Sequence, residues 1–218
     1  MDYLLLLAHV GKSDRRKINF QKKAGVFHKE TLSAAAIAIT FIAFFPFIHA
    51  IIKGAIIAHV FSWVIWGATT VIVFFAQLED KGGAGAWPIG VSGCITMFIA
   101  LLAYLKRADM TITRTDWLFF ASALASLPFW YFTSDPLWAV VILTAVDVLG
   151  FGPTVRKAYR SPRSESPAFF GLFAVRNLIV IMALEHYSTT TVLFPAAVAA
   201  ACMLLVAMLA YRRRVLAT

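Results

Sequence analysis

The chain has 218 residues, of which 61% are hydrophobic and only 14% charged, with a mean hydropathy of +0.79. Soluble domains carry roughly 25% charged residues, so this composition excludes a water-soluble globule, which would need more polar surface than the chain can supply. The net charge of +9, from 20 Lys and Arg against 11 Asp and Glu, would suit a nucleic-acid partner. No basic face with interleaved aromatics lies outside the apolar blocks, however, so nucleic acid is set aside and the charge is read as Lys and Arg retained in loops on one membrane face.

Residues 1–32 form a basic N-terminal tail. Tyr3 to Val10 is apolar but short of the roughly 20 residues a spanning helix needs. It is followed by Lys12, Arg15, Arg16, Lys17, Lys22, Lys23 and Lys29. That is the reverse of a secretory signal, whose charges come first, and it reads as an interfacial segment.

Seven apolar blocks follow, at 33–53, 58–78, 85–105, 116–133, 136–155, 168–187 and 191–211. Each is long enough to be read as a transmembrane helix. The connections are short and polar, as in Asp80-Lys81-Gly82-Gly83 and Ser134-Asp135, so neighbouring spans are antiparallel.

An internal offset of 107 residues organises the blocks. It carries Pro46 onto Pro153, Pro88 onto Pro195, Ala103-Tyr104 onto Ala210-Tyr211, and Lys106-Arg107 onto Arg213-Arg214. A persistent ungapped offset marks a duplication. The expected fold is all-α and integral to the membrane. It has three-helix repeats over 33–107 and 136–214, a connector helix within 108–135, and a C-terminal tail at 215–218. Three spans are an odd number, so the one extra crossing restores direction and makes the repeats parallel.

Topology follows from Lys and Arg. The connections after spans one, three and five, with the C-terminus, hold Lys53, Lys106, Arg107, Arg114, Arg156, Lys157, Arg160, Arg163 and Arg212 to Arg214; those after spans two, four and six hold Lys81. Positive residues favour the cytoplasm, which places the C-terminus inside and the N-terminus outside, in a membrane of the bacterial inner-membrane type. The seven basic residues of the tail oppose this. Translation starting at Val26 from a GTG codon would remove the conflict, and N-terminal sequencing tests it.

Pro46 and Pro153 each lack an amide donor and crowd a carbonyl four residues back, at Ile42 and Leu149. Paired bends near one face make a hinge. Pro88 and Pro195 fall near span starts, where proline is tolerated. Asp147 and Arg176 each lie roughly 12 Å from the inner face, at 1.5 Å per residue. Buried ions pair, so an Asp147–Arg176 ion pair is expected, with Asn177 beside it, either lining a substrate route or clamping two helices. The equivalent layer of the first repeat holds Thr40, Thr69 and Thr70, so the central cavity should be chemically lopsided. Trp63 and Trp66, with Phe170 and Phe173 at the repeat-equivalent positions, either stack on a flat solute or, as tryptophan near a membrane face more often does, anchor their helix at the interface. His49 and His59 flank an inner loop and read as solvated. Cys94 and Cys202 sit in apolar runs as small packing residues. No metal spacing, glycine-rich phosphate loop or carboxylate pair stands out, so no catalytic residue, metal or cofactor is expected.

Pro46-Phe-Ile-His-Ala-Ile-Ile-Lys53 with Ser62-Trp63-Val-Ile-Trp66, and Gly152-Pro153-Thr-Val-Arg-Lys-Ala-Tyr-Arg-Ser-Pro-Arg-Ser-Glu165-Ser166, resemble the two loops of the PQ-loop / SWEET-like (MtN3/saliva) membrane transporter superfamily. The glutamine of that motif is Phe47 in one copy and Thr154 in the other. Nicotinamide riboside transporters share a similar three-one-three plan. The resemblance implies a small-solute facilitator or secondary carrier in which the prolines serve alternating access. Sugar-carrying members place an asparagine on the third helix of each repeat. Here span three offers only Ser92, Cys94 and Thr96, and span seven only Cys202, which argues against sugar. The expected partners are the lipid bilayer and an unidentified small solute, and homo-oligomers are compatible with the pattern. The alternative from another class is a membrane receptor or assembly factor that binds without moving its ligand.

Overall fold

The computed structural model describes residues 28–54, 58–106, 112–163 and 165–215. All the elements among them are helical: α1 (His28–Ile52), α2 (Val60–Glu79), a 3-10 turn (Gly83–Ala86), α3 (Trp87–Leu105), α4 (Arg114–Thr133), α5 (Pro136–Arg160), α6 (Pro167–Ala183) and α7 (Thr189–Val215). Four helical stretches among the described residues are long and apolar enough to cross a membrane: α1, α2, the 3-10 turn continued into α3, and α7. The apolar stretches of α4, α5 and α6 (Trp117–Thr133, Pro136–Gly152 and Pro167–Ala183) are shorter. An all-α chain of this make-up is compatible with an integral membrane protein. Large exposed apolar side chains agree with that, among them Phe45, Leu105, Phe132, Leu149 and Leu204, since lipid rather than water can cover them.

Hydrogen bonds at the helix ends fix the directions. Lys106 Nζ at the end of α3 donates to Ile52 O at the end of α1 (3.1 Å), and Arg212 Nε late in α7 donates to Tyr159 O at the end of α5 (3.1 Å). Lys29 Nζ at the start of α1 donates to Met182 O near the end of α6 (2.6 Å). Helices α1, α3, α5 and α7 therefore run one way, and α2 and α6 run back. Helix α2 packs on α3 and α5, α6 on α7, α7 on α5, and α4 on α5. The larger apolar core draws Val73, Ile89, Leu143, Val180 and Leu205 from five helices, and a smaller one gathers Phe44, Ile51, Ile99 and Ala103 from α1 and α3.

Four boundaries depart from the sequence expectation. Helix α1 already includes residues 28–32, expected in the tail, and Lys29 there finds Met182 O and the Tyr187 hydroxyl (3.0 Å); residues 1–27 of the expected tail, with the Val26 start, lie outside the described residues. Helix α5 does not break at Pro153 but runs to Arg160. Proline's fixed φ is helical, so the helix continues beyond it once the carbonyl four residues back is accommodated. Helix α6 stops at Ala183, where Leu184 turns to an extended ψ of 136°. Helix α7 starts at Thr189, so Pro195 lies inside it rather than at its start.

That last shift has a consequence for packing. Pro195 cannot donate to Thr191 O, and Gln77 of α2 supplies the missing donor: its Nε2 reaches Thr191 O at 2.7 Å, fully buried. Replacing Gln77 by leucine should cost about 1–2 kcal/mol of stability, the usual penalty for an orphaned buried acceptor. The cost should shrink in a Pro195→Ala background, where the restored amide can serve the same carbonyl; a double-mutant cycle read by thermal unfolding in detergent checks the coupling.

Gly150 is needed where α5 meets α2. A Cβ there would stand 2.8 Å from Trp66 Nε1. Gly150→Val should separate the two helices and cost about 1–3 kcal/mol through overpacking, read as a lowered melting temperature.

Candidate functional site

A cavity of about 700 Å³ lies between the α1–α3 and α5–α7 triplets. Side chains from all six of those helices line it, and among the described residues α4 contributes none. Along α6 the lining extends from Ser166 to Arg176, roughly 15 Å at 1.5 Å per residue. The Ser166 end is exposed, while Arg176 at the far end is 2% exposed.

The wall is largely aromatic. Phe44 of α1 meets Phe173 of α6 edge-on at 5.2 Å between centroids, and Phe173 packs beside Phe169 at 4.9 Å. Trp63 stands at right angles to Trp66 at 5.5 Å and lies against Phe47 at 4.9 Å. Phe151 and Phe170 close the α5–α6 side. These positions come together because each lies one or two turns from the next lining residue on its own helix.

The polar layer is at the deep end. Arg176 donates from Nε to Thr40 Oγ1 (3.1 Å), from Nη1 to Asn177 Oδ1 (3.0 Å) and from Nη2 to Pro88 O. Thr40 is oriented by its own bond to Ala36 O (2.8 Å), and Asn177 by its bond to Phe173 O (2.8 Å). One guanidinium thereby ties α1, α3 and α6 together. The expected Asp147–Arg176 ion pair is not formed: no contact within 4.0 Å links them, and Arg176 spends its bonds on neutral acceptors. Asp147 lines the cavity, is 7% exposed, and has no hydrogen-bond or ion partner among the described residues.

The other candidate residues divide. Trp63, Trp66, Thr70 and Pro46 line the cavity, while Thr40 and Asn177 stand behind Arg176. The Thr70 hydroxyl is committed to Trp66 O (2.7 Å), which Thr69 also contacts (3.0 Å). The backbone of Pro153 is within α5; its side chain lies outside the described residues. His59 is not a freely solvated loop residue, because its ring caps α2 through Ser62 N at 3.3 Å. Cavity residues not singled out from the sequence are Phe44, Phe151, Glu165 and Phe194; the carbonyl of Pro88, which supports Arg176, leaves no side-chain signal.

The two ends of the helix array differ. At the buried end the α2–α3 loop is sewn to the α6–α7 loop. Ser188 Oγ donates to Asp80 Oδ2, Glu185 N donates to Gly82 O (3.1 Å), and Glu185 Oε1 accepts from Ala84 N (3.0 Å). Gly83 sits at φ +60°, with the Glu185 carboxyl where a Cβ would be. His186 Nδ1 adds a 3.1 Å contact to Asp80 O. At the basic end the described bonds stay within each triplet: Lys106 to Ile52, Arg212 to Tyr159, and Arg213 to Pro162 O (3.0 Å) and Glu165 O (2.8 Å).

No family model matches the chain, and no curated protein or solved structure matches it.

Proposed function

We propose that the protein is a small-solute facilitator or secondary carrier, a divergent relative of the PQ-loop / SWEET-like transporters. In this reading it has seven spans, two parallel three-helix repeats, and α4 as the connector. The observation that carries the proposal is the cavity between the triplets, exposed at one end, closed at the other, with an unpartnered acid and a guanidinium at its floor. A carrier needs a site that reaches one side at a time, and such a cavity fits one of those states.

Further support comes from the 107-residue offset. The Lys106–Ile52 bond has a near counterpart in Arg212–Tyr159, whose acceptor is displaced by that offset. The packing of α2 on α5 and of α1 on α6 is the exchange a pseudo-twofold between repeats requires. Under the Lys and Arg rule, the basic end faces the cytoplasm. The cavity would then be inward-facing, with the C-terminus inside and the N-terminus outside.

The test is uptake into liposomes carrying the purified chain. Saturable flux, lost on Asp147→Asn, is expected. Ligand binding with no flux would instead establish the receptor reading.

A further inference from the structure

The floor of the cavity carries an acid and a base that do not satisfy each other. The guanidinium has five N–H donors. Thr40, Asn177 and Pro88 O take three of them, leaving one on Nη1 and one on Nη2. Asp147 keeps all of its acceptor sites among the described residues. Both groups line the same space, under the aromatic wall of Phe44, Trp63, Trp66, Phe151, Phe170 and Phe173.

From this arrangement we infer that the cavity takes a ring-bearing zwitterion: an aromatic amino acid or a molecule of that class. Its ammonium faces Asp147, its carboxylate faces the remaining Arg176 donors, and its ring stacks on the wall. The assignment deepens the carrier reading and rests on the same cavity.

The reason is charge balance in a low-dielectric layer. With Asp147 ionised, it and Arg176 together carry no net charge. A singly charged solute would leave an uncompensated ion in surroundings where such ions are costly. An uncharged ring would bring neither a cation to Asp147 nor an anion to Arg176. A dipolar solute supplies a donor to one group and an acceptor to the other, and keeps the layer neutral. The volume of about 700 Å³ falls within the range of small-molecule sites and leaves room for a bicyclic ring.

The experiment uses the full chain in lipid nanodiscs and titration calorimetry with four probes of one ring type: L-tryptophan, tryptamine, 3-(indol-3-yl)propanoate and indole. Tryptophan should bind at least tenfold more tightly than each of the others. Asp147→Asn should erase its advantage over the propanoate, and Arg176→Lys should weaken it while keeping the rank order. Comparable binding of any single-charge or uncharged probe overturns the assignment, as does binding of none. Tryptophan counterflow in liposomes is measured separately: tight, zwitterion-selective binding without flux supports this ligand class and removes the carrier reading, while flux of all four probes alike does the reverse.

Discussion

A disulfide placed across the sewn end, in Asp80→Cys/Ser188→Cys, is expected to stop uptake when oxidised and to release it on reduction. The native side chains already touch, so the new sulfurs start within reach of each other. The background should carry Cys94→Ser, because Cys94 is an exposed free thiol whereas Cys202 is buried. If solute leaves by parting the α2–α3 loop from the α6–α7 loop, a covalent bond there removes every turnover. The effect should exceed tenfold and should leave binding from the basic end untouched. Calorimetry beside flux separates the two quantities. Full flux through the oxidised protein would mean that this end never opens, and alternating access between the triplets would fail.

Loss of the Arg176 guanidinium is the second large effect. Arg176→Met should lower stability by about 2–4 kcal/mol, because it strands Thr40 Oγ1, Asn177 Oδ1 and Pro88 O in a buried layer and unties three helices at once. Arg176→Lys should recover part of the loss, since an ammonium can reach some but not all of three acceptors spread around a planar fork. Asn177→Leu should cost less than Arg176→Met, about 1–2 kcal/mol, because it removes one of the three acceptors. Unfolding in mild detergent gives the ranking Met below Leu below native. Equal melting of Arg176→Met and the native chain would mean that the guanidinium supports ligand alone.

How far the sequence could be read differs between features. The helices were legible because each apolar block is closed by charge, glycine or proline, as at Asp80-Lys81-Gly82 and Ser134-Asp135. The burial of Asp147 and Arg176 was legible because both stand well inside apolar helices. Their lack of pairing was not, because the acceptors that satisfy Arg176 include a main-chain carbonyl at Pro88 and a hydroxyl on α1, and the rotation of α6 decides which it meets. Gln77 was within reach of inference: it is the one side-chain amide in α2, and proline at 195 identifies the carbonyl in need of a donor. The sewing of Asp80 to Ser188 joins loops 108 residues apart, and nothing local in either loop announces the other. The run of α5 beyond 155 to Arg160 was not legible, because the basic, polar residues after Pro153 read as a connection, whereas proline forbids one hydrogen bond without forbidding the turns that follow.

Among the described residues α4 contributes nothing to the cavity wall, so it stands outside the enclosed space. Its outer side, with Tyr131 and Phe132 about four-fifths uncovered, can answer to lipid or to a neighbouring protein while the cavity lining keeps its chemistry. A change pressed on that side reaches the cavity through α5 and α2, against which α4 packs. The outer side of α4 and the cavity lining can therefore vary independently of each other.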